Sequence, residues 1–147
     1  MTAVFPRGRV RRYVLDANAL IGFFEDRQGT AAKMEDLLGE AVRQDLPLLM
    51  SAVNWGEVFY TEWRYRGEAK AREAEANLLE MPIEVIAADR ERATRAGALK
   101  QKHGLGYADA FAAELAIERG AFLVTADPEF QKLGKALAVY PLPRHEK

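Results

Sequence analysis

Apolar residues along this chain follow two rhythms: short unbroken runs, and longer stretches in which they recur every third or fourth position. The run YVL, ending on Asp16, has the brevity and flanks of a buried strand. Asn18 to Asp26 then looks like a short helix closing at Gly29. From Thr30 to about Asp45, Met34, Leu37, Leu38, Ala41 and Val42 recur at helical spacing, until Pro47 stops the helix and LPLLMS supplies a second strand. Two further helices are expected, roughly Val53 to Arg66 and Glu68 to Glu80, with Gly67 between them and Met81-Pro82 ending the second. IEVIA reads as the third strand. Asp89 caps a polar helix that ends in the glycines of HGLGY, and another helix runs from about Tyr107 to Arg119. AFLVT is the fourth strand, and LAVYPL is a weaker candidate for a fifth at the sheet edge. This alternation predicts an α/β fold in three layers: a central parallel sheet of four to five strands, right-handed crossovers, and helices on both faces.

Composition narrows the chemistry. A chain of 147 residues with 49% hydrophobic and 29% charged positions suits a single globular domain spanning 1–147, with a basic N-terminal arm at 1–11 and a C-terminal tail at 141–147. No apolar run is long enough to span a bilayer, and the opening MTAVFPRGRVRR lacks the apolar centre of a secretory signal, so a cytoplasmic location is expected. There is no cysteine, and His103 and His145 are the only histidines. Thiol catalysis, disulfides and cysteine-ligated zinc are therefore excluded, and any metal must be held mostly by oxygen. A net charge of -1 means that attraction to an anionic partner has to come from local basic patches.

In open parallel sheets, functional groups gather at the carboxyl ends of the strands. Asp16 ends the first strand, Glu57 lies one helical turn beyond the second, Asp127 follows the fourth in TADPEF, and Asp109 opens the helix that feeds the fourth. Each also has an ordinary structural reading. Asp16 suits a helix N-cap, Asp127 suits a cap followed by Pro128, and Glu57 suits a solvated helix face. Asp109 is harder to explain that way. It shares a helix face with Leu105, Ala112, Ala113 and Ala116, with Glu114 and Glu118 opposite, so it is expected to be buried against the sheet. Buried charge is costly unless it is paired or bound to metal, and no lysine or arginine is an obvious partner. Clustered carboxylates repel and raise one another's pKa unless a cation neutralises them. Oxygen ligands suit Mg²⁺ or Mn²⁺, whose most frequent task is attack of activated water on a phosphodiester. Asn18 and Thr125 are placed to support such a site.

Together DANAL at 16–20, the glutamate of NWGEVFY, the aspartate of YADAFAAELA and TADPEF resemble the PIN-domain ribonucleases, most closely the VapC toxins of toxin-antitoxin pairs. The likeness runs from about Tyr13 to about Tyr140. It implies an acidic quartet at Asp16, Glu57, Asp109 and Asp127, with Asn18 and Thr125 at the family's supporting polar positions. It further implies Mg²⁺- or Mn²⁺-dependent endonucleolytic cleavage of RNA, a homodimer, and inhibition by a small antitoxin. Trp63, Arg64, Tyr65, Arg66, Lys70 and Arg72 form a basic stretch with interleaved aromatics suited to RNA contact. Arg90, Arg92, Arg95, Lys100 and Lys102 offer a second such stretch. Either set serves equally as a solvated helix face, with Trp63 and Tyr65 as core or dimer contacts. Two rivals share the alternating sheet or the fold: a receiver-like phosphoacceptor domain and a non-catalytic RNA-binding PIN scaffold. A receiver wants adjacent acids after its first strand, whereas Asp16 stands alone there, and a haloacid-dehalogenase-type phosphatase would want an acid where Asn18 stands.

Overall fold

The computed structural model describes residues 10–27 and 29–144. Five strands form one fully parallel sheet: β1 (Tyr13–Leu15), β2 (Leu48–Ser51), β3 (Ile83–Ile86), β4 (Phe122–Thr125) and β5 (Val139–Pro141). Their order is β3-β2-β1-β4-β5, with Leu15 opposite Val124 at the β1–β4 pairing. The helices are α1 (Ala17–Phe24), α2 (Thr30–Gln44), α3 (Ala52–Arg66), α4 (Glu68–Leu79), α5 (Arg90–His103) and α6 (Tyr107–Arg119). A 3-10 stretch at Pro128–Ala136 follows β4.

The three inner strands are short, apolar and buried along their whole length, because helices cover both faces. Alternate side chains divide between two cores. Tyr13, Leu15, Leu48, Met50, Phe122 and Val124 face α1, α2, α3 and α4, where Leu20, Met34, Leu37, Val58 and Leu78 meet them. Val14, Leu49 and Leu123 face the other way, toward α5, α6 and the 3-10 stretch. Each fully buried leucine of this kind contributes about 1.5–3 kcal/mol through removal of apolar surface from water. Edge strands β3 and β5 are partly exposed. Gly104 and Gly120 adopt left-handed φ values of 71° and 59°, which lets α5 and α6 stop abruptly.

Every element expected from the hydrophobic pattern forms, including the edge strand at Val139–Pro141. The 3-10 stretch begins where Asp127 and Pro128 read as a cap and a first helical residue, but its run to Ala136 was not expected. Pro141 lies in β5, and Leu142 is buried and donates its N–H to the Thr125 carbonyl, so ordered structure continues into the stretch expected as a tail. Of the basic N-terminal arm, residues 1–9 lie outside the described residues. No helix among the described residues is long and apolar enough to cross a membrane. Strand order also disposes of the receiver-like alternative. A receiver sheet runs 2-1-3-4-5, whereas here β4 lies beside β1 and β3 occupies an edge.

Glu114 lies on the side of α6 that faces α5. It is only 2% exposed, because polar α5 lies over that side of α6. The Glu114 carboxylate accepts from Arg95 Nε at 2.8 Å and Arg92 Nη1 at 3.2 Å, and Arg92 Nη2 reaches Glu118 at 2.7 Å. The charged helix α5 covers this carboxylate.

Candidate active site

The chain turns from filling one side of the sheet to filling the other between β1 and β4, where a parallel sheet leaves a crevice at its carboxyl edge. Asp16 leaves β1 at this point. Its N–H donates to the Val124 carbonyl, and its side chain is 3% exposed. Asp16 Oδ1 accepts from the Ala17 N–H at 2.8 Å and Oδ2 accepts from the Thr125 hydroxyl at 2.8 Å. The capping role read from sequence is therefore real, though it occupies only one oxygen.

Thr125, itself buried at the end of β4, is the hub of the site. Besides donating to Asp16, its Oγ1 accepts from the Asp127 N–H at 3.0 Å and from Asn18 Nδ2 at 3.2 Å. Asn18 Oδ1 accepts in turn from the Ala126 N–H at 3.1 Å. The loop that carries Asp127 is thereby tied to the first turn of α1. Asp127 caps the 3-10 stretch through a 2.9 Å bond from the Glu129 N–H, with Pro128 at the first helical position.

The other two acids come from helices whose N-termini reach the same edge. Glu57 lies on α3, where Oε1 accepts from Asn54 Nδ2 at 2.9 Å. Asp109 lies in the first turn of α6 and is half-buried, not enclosed against the sheet as its helical face suggested. Its carboxylate reaches back over Gly106. A Cβ at residue 106 would stand 3.2 Å from Asp109 Oδ2.

Electrostatics show that the four acids sense one another. Burial pushes the Asp16 carboxyl up to about 7, and the neighbouring charges of Asp109 and Glu57 add to the rise against the opposing Thr125 and Ala17 hydrogen bonds. Asp109 rises to about 6, first through burial and then through Asp127, Glu57 and Glu129. Glu129 is an addition the sequence did not suggest. No ion pair to any of the four expected acids occurs among the described residues. Positive helix N-termini and hydrogen-bond donors offset part of the repulsion. The acids do not close into a ready-made cage, however. Among the described residues, no three acidic or imidazole side chains converge as a metal-binding group. Like charges turn instead to local donors: Asp16 to Thr125 and Ala17, Glu57 to Asn54, Asp127 to Glu129. An oxygen-only donor set, raised carboxyl pKa values and the lack of a cationic side chain nevertheless fit a hard divalent cation.

The expected RNA-contact residues divide. Trp63 is 42% exposed and packs edge-on against Phe59, and the Arg64 guanidinium lies over the Tyr60 ring. Arg66 is paired with buried Glu62 at 3.7 Å, Lys70 with Glu73 at 3.5 Å, and Arg72 with Glu68 at 3.6 Å. In the second stretch, Arg92 and Arg95 are engaged by Glu114. Asn54, wholly buried between Glu57 and α6, is the site residue that sequence reasoning passed over. Its place three residues before Glu57 in NWGE was the available signal.

Among solved structures, the fold is similar to Rickettsia felis VapBC2 bound to a promoter DNA fragment, with TM-score 0.68, 19% identity, and coverage of 88% of this chain and 98% of that one. A Klebsiella pneumoniae toxin-antitoxin complex matches with TM-score 0.63 and 22% identity over 88% of this chain and 98% of that one. Mycobacterium tuberculosis VapC20, described as a toxin that cleaves the sarcin-ricin loop, matches with TM-score 0.61 and 16% identity over 83% and 95%. No curated protein sequence matches the chain. The model of the PIN domain family matches residues 13–136, a span that holds β1 through the 3-10 stretch and all four acids around the β1–β4 crevice, and the chain belongs to that family.

Proposed function

We propose that this protein is a divalent-metal-dependent endoribonuclease that hydrolyses RNA phosphodiester bonds, and that it is the toxin of a toxin-antitoxin pair. The observation that carries this reading is the placement of Asp16, Glu57, Asp109 and Asp127 around one sheet edge, close enough to shift one another's charge, with no cationic side chain among the described residues paired to them. Asp16, Asp109 and Asp127 would hold Mg²⁺ or Mn²⁺, with Glu57 completing the acidic set. When bound, the cation neutralises the carboxylates, lowers the pKa of an attacking water and offsets charge that develops on the phosphate. The protein's own contribution is positioning. Thr125 fixes Asp16 Oδ2 and the Asp127 backbone together, Asn18 holds the Ala126 N–H, and both act from rigid element ends.

The solved structures that support the toxin reading include VapBC2 and a toxin-antitoxin complex, and VapC20 is described as a sarcin-ricin loop cleaving toxin. A cognate small antitoxin, a homodimer and a cytoplasmic location follow from that reading. RNA contact along α3 and the start of α4 falls to Trp63 and Arg64, since Arg66 and Lys70 already have acidic partners. The purified protein is expected to cleave RNA with added Mn²⁺ or Mg²⁺, and EDTA, Asp16→Asn and Asp109→Asn are each expected to abolish cleavage. Undiminished cleavage by both folded variants would refute the assignment. Sequencing of RNA ends after induction in cells identifies the target in the same experiment.

A further inference from the structure

One buried amide links two of the acids. Asn54 is fully buried in the first turn of α3, and its Nδ2 donates at 2.9 Å to Glu57 Oε1 and at 3.1 Å to the carbonyl oxygen of Ala108. That carbonyl belongs to the peptide bond leading into Asp109. Both neighbours are acceptors, which fixes the orientation of the amide: the NH₂ group must face them. Asn54 Oδ1 is correspondingly left buried without a partner. An unsatisfied buried oxygen is costly, so retaining asparagine here, rather than an apolar residue of similar size, calls for a compensating role. The bond to Ala108 also joins the two helical layers, because α3 packs in the core on one face of the sheet and α6 in the core on the other.

We infer that Asn54 is a positioning residue of the acidic site, holding the Glu57 carboxylate and the start of Asp109 in a fixed mutual relation for the divalent cation. This rests on the nuclease reading of the same site. Leucine at this position would keep the same number of side-chain heavy atoms and supply no donor. Glu57 would then be free to turn away from Asp109, and α6 would lose its tie to α3. Groups that orient metal-binding side chains typically change affinity by about 10–100-fold when removed.

The test uses the full chain and Mn²⁺ alone, with free Mn²⁺ read by electron paramagnetic resonance, next to RNA cleavage and thermal unfolding. Asn54→Leu is expected to weaken Mn²⁺ binding at least about tenfold while unfolding cooperatively near the wild-type temperature. In a Glu57→Ala background the same substitution is expected to cost clearly less, because part of its effect passes through Glu57. A merely structural role would give equal losses in both backgrounds, and that outcome overturns the inference. If Asn54→Leu does not fold, Asn54→Ala, which only removes atoms, carries the same comparison. A wild type that binds Mn²⁺ and cleaves RNA beside an unaffected Asn54 variant overturns this inference alone. A wild type that does neither overturns the nuclease reading and this inference with it.

Discussion

Asp16→Asn separates the stability of this fold from its chemistry. In the absence of metal, the Asp16 carboxyl carries a pKa of about 7 against an ordinary 3.8, chiefly because it is buried. The folded-state value lies above the unfolded one, so folding takes up a proton. The stabilisation is fully present below about pH 4 and is lost as pH rises through about 7. A rise of about three units at about 1.4 kcal/mol each corresponds to about 4 kcal/mol lost by about pH 8. Asparagine keeps an oxygen for the Ala17 N–H but turns an NH₂ toward the Thr125 hydroxyl, whose donated bond is then lost at a cost of about 1 kcal/mol. The net expectation is that Asp16→Asn stabilises the metal-free protein by about 2–3 kcal/mol at about pH 8 while removing cleavage. Urea unfolding at several pH values with EDTA present measures this directly. The wild type should lose stability across the interval and the variant should lose distinctly less. A variant less stable than wild type at about pH 8, or one with an unchanged pH slope, would refute the account of Asp16 as a buried charge that the fold tolerates for function.

Two further substitutions probe other parts of the argument. Gly106→Ala places a methyl group 3.2 Å from Asp109 Oδ2, so cleavage should fall about tenfold or more while stability changes by about 1 kcal/mol or less; kinetics and melting of one preparation give both readings. Glu114→Gln leaves Arg92 and Arg95 facing a neutral amide. Arg92 retains Glu118, and Arg95 is 48% exposed, so the loss should be about 2 kcal/mol rather than the 3–5 of a fully buried pair, by urea unfolding at low and high salt.

The sheet was legible because its inner strands obey a rule that leaves a mark in sequence. Buried on both faces, YVL, LLM and FLV contain no polar position. Helix ends were legible where Gly67, Gly104 and Gly120 mark them. Pro128–Ala136 escaped because a 3-10 stretch has no long apolar period, and its Gly134, at φ 53° and ψ -128°, interrupts the pattern further. For the site, placement at the strand ends picked out all four acids, the helical face of Asp109 set it apart, and the resemblance then joined the four as one quartet. Asn54 is marked in sequence only by its place three residues before Glu57, and its other contact, the Ala108 carbonyl, lies 54 positions away along the chain.

The hydrogen bond from Thr125 to Asp16 spans 109 positions of sequence. A growing chain holds Asp16, Glu57 and Asp109 long before the strand bearing Thr125 exists to cover the first of them. Until then Asp16 Oδ2 has no Thr125 hydroxyl to accept from, and Asn18 has no Ala126 N–H to hold. The site is thus assembled by the last inner strand to be made, and a polypeptide stopped short of residue 125 possesses three of the acids without the arrangement that joins them.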